Sequence, residues 1–162
     1  MNPASVAPLN VVLVEPEIPQ NAGNIGRTCV GLGARLHFVG QLGFSLDDRD
    51  LKRAGLDYWP KLDWLRHPSW HDFLASVPKE ADLALFSTHG HASFWERAYR
   101  TPCYLVFGSE SRGFPPSFYE RYADKLVRIP VRPDIRSLNL STAVGIAAYE
   151  AARQNNIVPE KL

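Results

Sequence analysis

Short, almost wholly apolar runs alternate along this chain with segments in which apolar residues recur every three to four positions. Leu9 to Val14, Arg35 to Val39, Leu83 to Ser87, Cys103 to Phe107 and Leu126 to Ile129 read as strands whose two faces are both covered. Between the first two, Ile25, Cys29 and Leu32 keep helical spacing, with Asn21 as the expected N-cap and Gly33 as the stop. Asp47 and Asp48 suit the first turn of a short helix ending at Gly55, and Ser69 with Asp72 forms a capping-box-like start for a helix from Trp70 to Ser76. Pro115 and Pro116 lead into a helix reaching about Ala123. A last helix carries an apolar stripe of Leu140, Val144, Ala147 or Ala148, and Ala151, whose small side chains permit close approach of another helix. The alternation predicts an α/β fold with a mostly parallel sheet flanked by helices.

Length and composition narrow the class without naming a function. The 162 residues suit one domain, read as 1–162 with residues 1–8 as a loose tail. With 22% charged residues and no repeat, disorder and fibrous folds are excluded. The longest apolar runs are far too short to span a bilayer, so no membrane role is expected. Cys29 and Cys103 form no CxxC pair, which leaves no zinc ribbon or disulfide framework and suits a reducing cytoplasm. A net charge of +1 argues against nucleic-acid binding by bulk charge, yet most cations are arginine, and Arg27, Arg112, Arg128, Arg132 and Arg136 fall near three unusual loops.

In such a sheet, ligands bind at loops leaving the carboxyl ends of strands. Three loops qualify. In the first, EPEIPQNAGNIGRT, Gly23, Gly26 and Gly31 imply that something approaches the helix backbone, and Asn21 and Arg27 are candidates to face a ligand; the plainer reading is a cap and an exposed arginine. The second, FGSESRGFPP, has Gly108 and Gly113 for tight turns, Glu110 as an acceptor, and Ser111, which falls short of a GxSxG nucleophile elbow. The third, IPVRPDIRSLNLSTA, crowds Ser137, Asn139, Ser141 and Thr142 at a helix start beside Arg136, more polar groups than one cap requires. No P-loop or dinucleotide fingerprint is present. His89 and His91 lack a third ligand of obvious spacing, so no metal is expected, and Tyr58, Trp59, Trp64 and Trp70 read either as core or as a stacking surface.

The order and spelling of LNVVLVEPEIPQNAGNIGRTC, DDRDLKRAGLDYW, LVFGSESRGFP and RIPVRPDIRSLNLSTAVGIAAYEA resemble the SPOUT superfamily of S-adenosylmethionine-dependent RNA methyltransferases, and within it the small enzymes that methylate the ribose 2′-hydroxyl of tRNA position 34. The resemblance implies a C-terminal trefoil knot and a homodimer whose active site draws on both subunits. It also implies a cofactor held by Phe86, Gly108, Ile129, Ser137 and Leu138. Asn21 and Arg27 match the first motif, Glu110 the second, and Ser137 with Asn139 the third. The Ala/Gly-rich stripe of the last helix is expected at the dimer interface. Arg27 is expected to orient the hydroxyl or hold a phosphate and not to act as a base, since guanidinium stays protonated. Methylation of another tRNA or rRNA site, a non-catalytic RNA-binding module of the same fold, and a hydrolase built on Ser111 are the competing classes. The segment SFWERAYRTP matches no motif.

Overall fold

Seven strands, all paired in parallel, form one sheet in the order β3-β2-β1-β6-β4-β7-β5 in the computed structural model. The structure describes residues 5–47, 49–54, 57–157 and 159. The elements are β1 (Leu9–Val14), α1 (Pro19–Leu32), β2 (Arg35–Val39), α2 (Arg49–Ala54), β3 (Trp64–His67), α3 (Trp70–Ser76), β4 (Asp82–Phe86), β5 (Ala92–Ser93), β6 (Cys103–Phe107), α4 (Ser117–Arg121), β7 (Leu126–Arg128) and α5 (Leu140–Gln154). Among the described residues no helix is long and apolar enough to cross a membrane.

The central strands β1, β2 and β6 begin and end where their apolar runs do, and every residue in them is buried. Alternate residues feed two cores. Val11, Leu13, Leu36, Phe38, Leu105 and Phe107 pack with Ile25 and Cys29 of α1 and Val144 and Ala148 of α5; Val12, Val14, Val39 and Val106 pack on the other face with Phe73 of α3 and Phe118 of α4. Burial pushes the thiols of Cys29 and Cys103 up to about 12, so both behave as small apolar side chains. The alternation of strand and helix therefore yields the expected sheet with helices on both faces.

Several boundaries differ from the sequence expectation. β4 starts one residue early, at Asp82, whose carboxylate pairs with Arg97 at 2.7 Å. β7 stops at Arg128, and the helix expected to reach Ala123 breaks at Tyr122 into a 3-10 turn over Ala123–Lys125. Neither β3 nor the two-residue β5 was anticipated: β3 is a half-exposed edge strand, and β5 is too short for a pattern. Ser69 accepts a hydrogen bond from the Asp72 amide at 3.1 Å, the expected cap. Asp48 and Gly55 lie outside the described residues. Trp59 and Trp64 pack against the core, their rings 6.3 Å apart, while Trp70 stands on the other face of the sheet against Phe73 and Phe118, so the aromatic stretch is divided between two cores.

Two expectations about helices are overturned. Asn21 does not cap α1; Ile18 is the N-cap and makes no side-chain cap bond, Pro19 occupies the first turn, and Asn21 is buried inside the helix. The alanine stripe of α5 faces inward: Val144, Ala147, Ala148, Ala151 and Ala152 are buried against α1, β1 and β6 of the same chain. Small residues are needed there because α5 lies close on both α1 and the sheet, and so the stripe is spent within the protomer.

A buried polar chain crosses three strands. Asn10 donates its amide to the carbonyls of Ala7 and Cys103, which leaves its Oδ1 as an acceptor for His37 Nε2 at 2.9 Å. His37 Nδ1 must then be the unprotonated nitrogen, accepting from His67 Nε2 at 3.0 Å. Burial first, then the neighbouring His67 and Arg35, hold the His37 imidazole down to about 3, and burial also lowers His67. Because the unfolded chain takes up these protons near pH 6.5 and the folded chain does not, stability is full at neutral pH and falls as pH drops from about 6.5 towards about 3. Urea unfolding between pH 7 and pH 4 is expected to show a loss approaching about 1.4 kcal/mol per pH unit from this group. His37→Gln keeps a donor for Asn10 and an acceptor for His67 without a titrating proton, so it should flatten much of the response; an unchanged pH profile would place the titration elsewhere.

Candidate active site

The register of the sheet brings the ends of four strands close to one level. Phe107 of β6 stands beside Leu13 of β1 and Phe86 of β4, and Phe86 beside Val127 of β7. The loops that follow leave the same edge and enclose a cavity of about 420 Å³, within the ordinary size range of small-molecule sites. Its apolar walls include Phe86, Phe107, Ile129 and Leu138, and Ser87, Thr88, Ser109 and Ser137 add hydroxyl groups. All five residues expected to hold a cofactor, Phe86, Gly108, Ile129, Ser137 and Leu138, line it together with Asn21, Glu110 and Asn139.

Three of these residues form one hydrogen-bonded chain across the three loops. α1 has neither an acidic first turn nor a side-chain cap of its own. Glu110, arriving from the loop after β6, supplies a charged acceptor just ahead of the helix: its carboxylate accepts from the backbone amides of Glu17 at 3.0 Å and of the N-cap residue Ile18 at 2.6 Å. It also accepts from Asn21 Nδ2 at 3.5 Å, and Asn21 Oδ1 accepts from Asn139 Nδ2 at 3.0 Å. Asn139 in turn caps α5, accepting from the amides of Ser141 and Thr142. One carboxylate thus orients the start of α1 directly and the start of α5 through two amides.

A second clasp runs the other way. Glu17 accepts from the Ser111 hydroxyl at 2.7 Å and pairs with Arg112 at 3.5 Å. The Ser111 hydrogen bond is the largest cause holding the Glu17 carboxyl below its ordinary value. Ser111 is therefore a tether committed to a carboxylate, and the hydrolase reading is dropped. The loop between the clasps is closed by paired bonds between Ser109 and Gly113, each 3.0 Å.

The glycines answer to the protein's own backbone. A Cβ on Gly108 would lie 2.3 Å from the Gly113 carbonyl carbon, and Gly113 itself has φ +68°. A Cβ on Gly26 would meet Trp59 and Leu62 at 3.2 Å, so the close approach expected there comes from the segment after α2; the expectation fails at Gly31, where a Cβ would meet nothing within 4 Å.

Arg27 is not at this cavity. Six residues beyond Asn21 it has turned about 240° around the helix axis. It is exposed, with its guanidinium 5.9 Å from the centre of the Tyr58 ring. Tyr58 is fixed there by donating its hydroxyl to the Gly23 carbonyl. The expectation that Asn21 and Arg27 face one ligand from one chain is thus not met. Sequence reasoning also passed over cavity residues Thr88, His89 and Tyr119. His89 was weighed only as a metal ligand; its ring stands edge-on to Tyr119 at 5.1 Å. Arg128 and Arg136, noted only as cations near loops, line the cavity with exposed side chains and have no ion pair among the described residues.

Comparison with known proteins agrees with this geometry. Residues 8–149 match the model of the SpoU rRNA Methylase family. A tRNA (cytidine(34)-2′-O)-methyltransferase of Burkholderia pseudomallei (strain 1106a) is 47% identical over 147 residues, covering 90% of this chain and 94% of that protein. A solved structure concerned with 2-OH methylation of C/U34 on tRNA superposes with a TM-score of 0.87 at 49% identity, covering 91% of this chain and 96% of the other. The SpoU methyltransferase AviRb from Streptomyces viridochromogenes, solved in complex with AdoMet, matches at a TM-score of 0.83 and 26% identity over 94% of this chain and 60% of that one. The family resemblance carried by the motifs is borne out, the knot it implies comes with the family, and the chain belongs to the SpoU rRNA methylase family of methyltransferases.

Proposed function

We propose that this protein transfers the methyl group of S-adenosylmethionine to the ribose 2′-hydroxyl of tRNA nucleotide 34, the wobble position, in the cytoplasm. The observation that carries this reading is the convergence of Phe86, Gly108, Ile129, Ser137 and Leu138 on one cavity. It is supported by 47% identity, over nine-tenths of the chain, to an enzyme named for that reaction. The cavity suits the cofactor chemically: aromatic and aliphatic walls for adenine, hydroxyl groups for its ribose and amino-acid tail. When bound, the cofactor supplies a methyl group on a positively charged sulfur; transfer to the ribose oxygen leaves S-adenosylhomocysteine and releases the hydroxyl proton.

The chain's own contribution is position and exclusion of water. Glu110, Asn21 and Asn139 are positioning residues, because their polar atoms are spent on one another and on helix amides. Ser137 and Leu138 form the wall of the loop entering α5. Arg128 and Arg136 at the cavity take RNA phosphates, which reconciles a net charge of +1 with an RNA substrate by concentrating unpaired cations at one mouth. Arg27 enters from a second copy of the chain, because α1 turns it away from its own cavity; there it orients the hydroxyl or an adjacent phosphate. The active form on this reading is a homodimer.

The reading is tested on cofactor binding, on stability and on assembly. Ala143 lines the cavity from α5, so Ala143→Leu should weaken S-adenosylmethionine binding at least about tenfold in calorimetry while leaving the melting temperature close to wild type. Undiminished affinity would move the cofactor elsewhere. It is a cleaner probe than a larger residue at Gly108, which would break the loop itself.

Glu110→Ala removes the only acidic cap of α1 and should cost about 2 kcal/mol of stability, with Glu110→Gln recovering only part, since it loses the charge facing the helix end. Both should lower methyl transfer to tRNA. Wild-type stability in the alanine variant would remove Glu110 from the role assigned here.

Sedimentation at micromolar concentration should give about twice 18.2 kDa. Arg27→Ala should abolish most transfer of a tritiated methyl group to tRNA while sparing cofactor affinity, and Arg27→Lys should restore little. Mixing Arg27→Ala with Ala143→Leu chains should recover activity, because a mixed dimer has one complete site. Failure of mixed chains to recover any transfer, with exchange of subunits verified, would show that Arg27 does not act across the dimer.

A further inference from the structure

Trp95 presents more of its surface than any other large hydrophobic side chain among the described residues, at 65% exposed. It lies in the segment that no sequence motif explains. The other three tryptophans are half-buried in packed aromatic clusters. Trp95 follows β5, the outermost strand, and its place relative to the cavity is fixed by the ladder: Ser93 pairs with Arg128 of β7, and the Phe94 amide donates to the Arg128 carbonyl at 3.0 Å.

The two ring neighbours of this segment divide their work. Phe94 is buried and packs against Phe86, which walls the cavity. Trp95 lies with its ring centre 5.4 Å from that of Phe94, tilted by 34°, and the rest of its surface faces solvent. The backbone is held in place by the Ser93 hydroxyl, which accepts from the Trp95 amide at 3.2 Å, and by the Ser93 carbonyl, which accepts from Glu96. Its exposed neighbours His91, Ala92 and Glu96 make no apolar patch of the size a protein partner requires. An exposed indole in a segment hydrogen-bonded to the backbone of Arg128, whose own side chain has no ion pair among the described residues, instead supplies what single-stranded nucleic acid asks for, a flat surface for a base and a cation for its phosphate.

We propose that Trp95 is a stacking platform for an unpaired nucleobase of the RNA substrate flanking the target nucleotide, with Arg128 holding the intervening phosphate. The inference rests on the reading of the protein as an RNA methyltransferase. It gives the otherwise unexplained segment after β4 a role: Thr88 and His89 wall the cavity, β5 anchors to β7, and Trp95 extends the site along the sheet edge. Stacking is tolerant of base identity, so the subsite adds affinity and register and leaves base choice to other groups.

The test uses the full-length protein and an anticodon stem-loop RNA. Trp95→Ala should raise KM for the RNA on the order of tenfold, with cofactor affinity unchanged, and Trp95→Phe should recover most of the loss. Titrating the RNA into wild-type protein should quench the solvent-accessible part of the tryptophan fluorescence, and Trp95→Phe should abolish that quenching. If wild type methylates the RNA and Trp95→Ala does so with unaltered KM, the platform is overturned while the enzymatic reading stands. If wild type transfers no methyl group to RNA, the reading beneath it falls. Conversion of dimer to monomer by Trp95→Ala in sedimentation would assign the indole to contact between copies and overturn the proposal.

Discussion

The site depends on one carboxylate placed at the start of a helix that its own sequence leaves uncapped. The first amides of a helix have no partner within it and carry the positive end of its dipole. At α1 the amides of Glu17 and of the N-cap residue Ile18, just ahead of Pro19, are met by Glu110, 92 residues away from Ile18 in the chain. A charged acceptor on several N–H donors is among the stronger polar interactions available to a protein. It fixes the loop after β6 against the loop after β1 at the point where the sheet ends. Because Asn21 and Asn139 relay the same contact to α5, three of the segments that wall the cavity keep their places together.

This arrangement also decides which groups remain for chemistry. Glu110 and Glu17 are both occupied by backbone amides, a hydroxyl or a guanidinium, so neither carboxylate is a free base facing the cavity. Ser111 is tied to Glu17, and Ser109 and Gly113 bond to each other. What faces outward uncommitted is cationic: Arg128 and Arg136. The polar groups of the loops therefore serve rigidity, and the unpaired charge is left at the mouth, where the proposed reading puts a polyanion. A methyl transfer that demands alignment more than acid–base power is compatible with such a division.

The sequence made the central sheet legible because parallel strands covered on both faces are continuous apolar runs, as in LNVVLV and CYLVF. β3 and β5 escaped because an edge strand of WLRH and a two-residue strand carry no such run. Asn21 was misread for a physical reason: capping signals are local patterns, and here the cap comes from a distant loop while Asn21, one turn further in, bonds sideways. Gly26 and Gly108 were legible as sites of close approach but not in what approaches, since Trp59 and Gly113 meet them only after folding, while Gly31 was misjudged, for nothing comes within 4 Å of a Cβ there. The alanine stripe has the same character. Small side chains announce that a helix packs closely, and only the tertiary structure says that the partner is α1 of the same chain. The convergence of Phe86, Gly108, Ile129, Ser137 and Leu138 on one cavity was legible through motif resemblance, which carries the three-dimensional arrangement that spacing alone does not contain.

The rigidity of α1 has a last consequence. Asn21 and Arg27 stand on one straight helix, about 9 Å apart along its axis and on different faces. Asn21 is held into the cavity by Asn139 and Glu110, and Arg27 is held outward over Tyr58, itself bonded to the Gly23 carbonyl between them. Turning Arg27 inward would require rotating a helix whose start is fixed by a carboxylate and whose Gly26 leaves Trp59 and Leu62 no slack. A role for Arg27 in transfer therefore requires a second chain whose α1 faces this cavity; on the proposed reading, the clasp that builds the cavity within one protomer leaves the complete site to two.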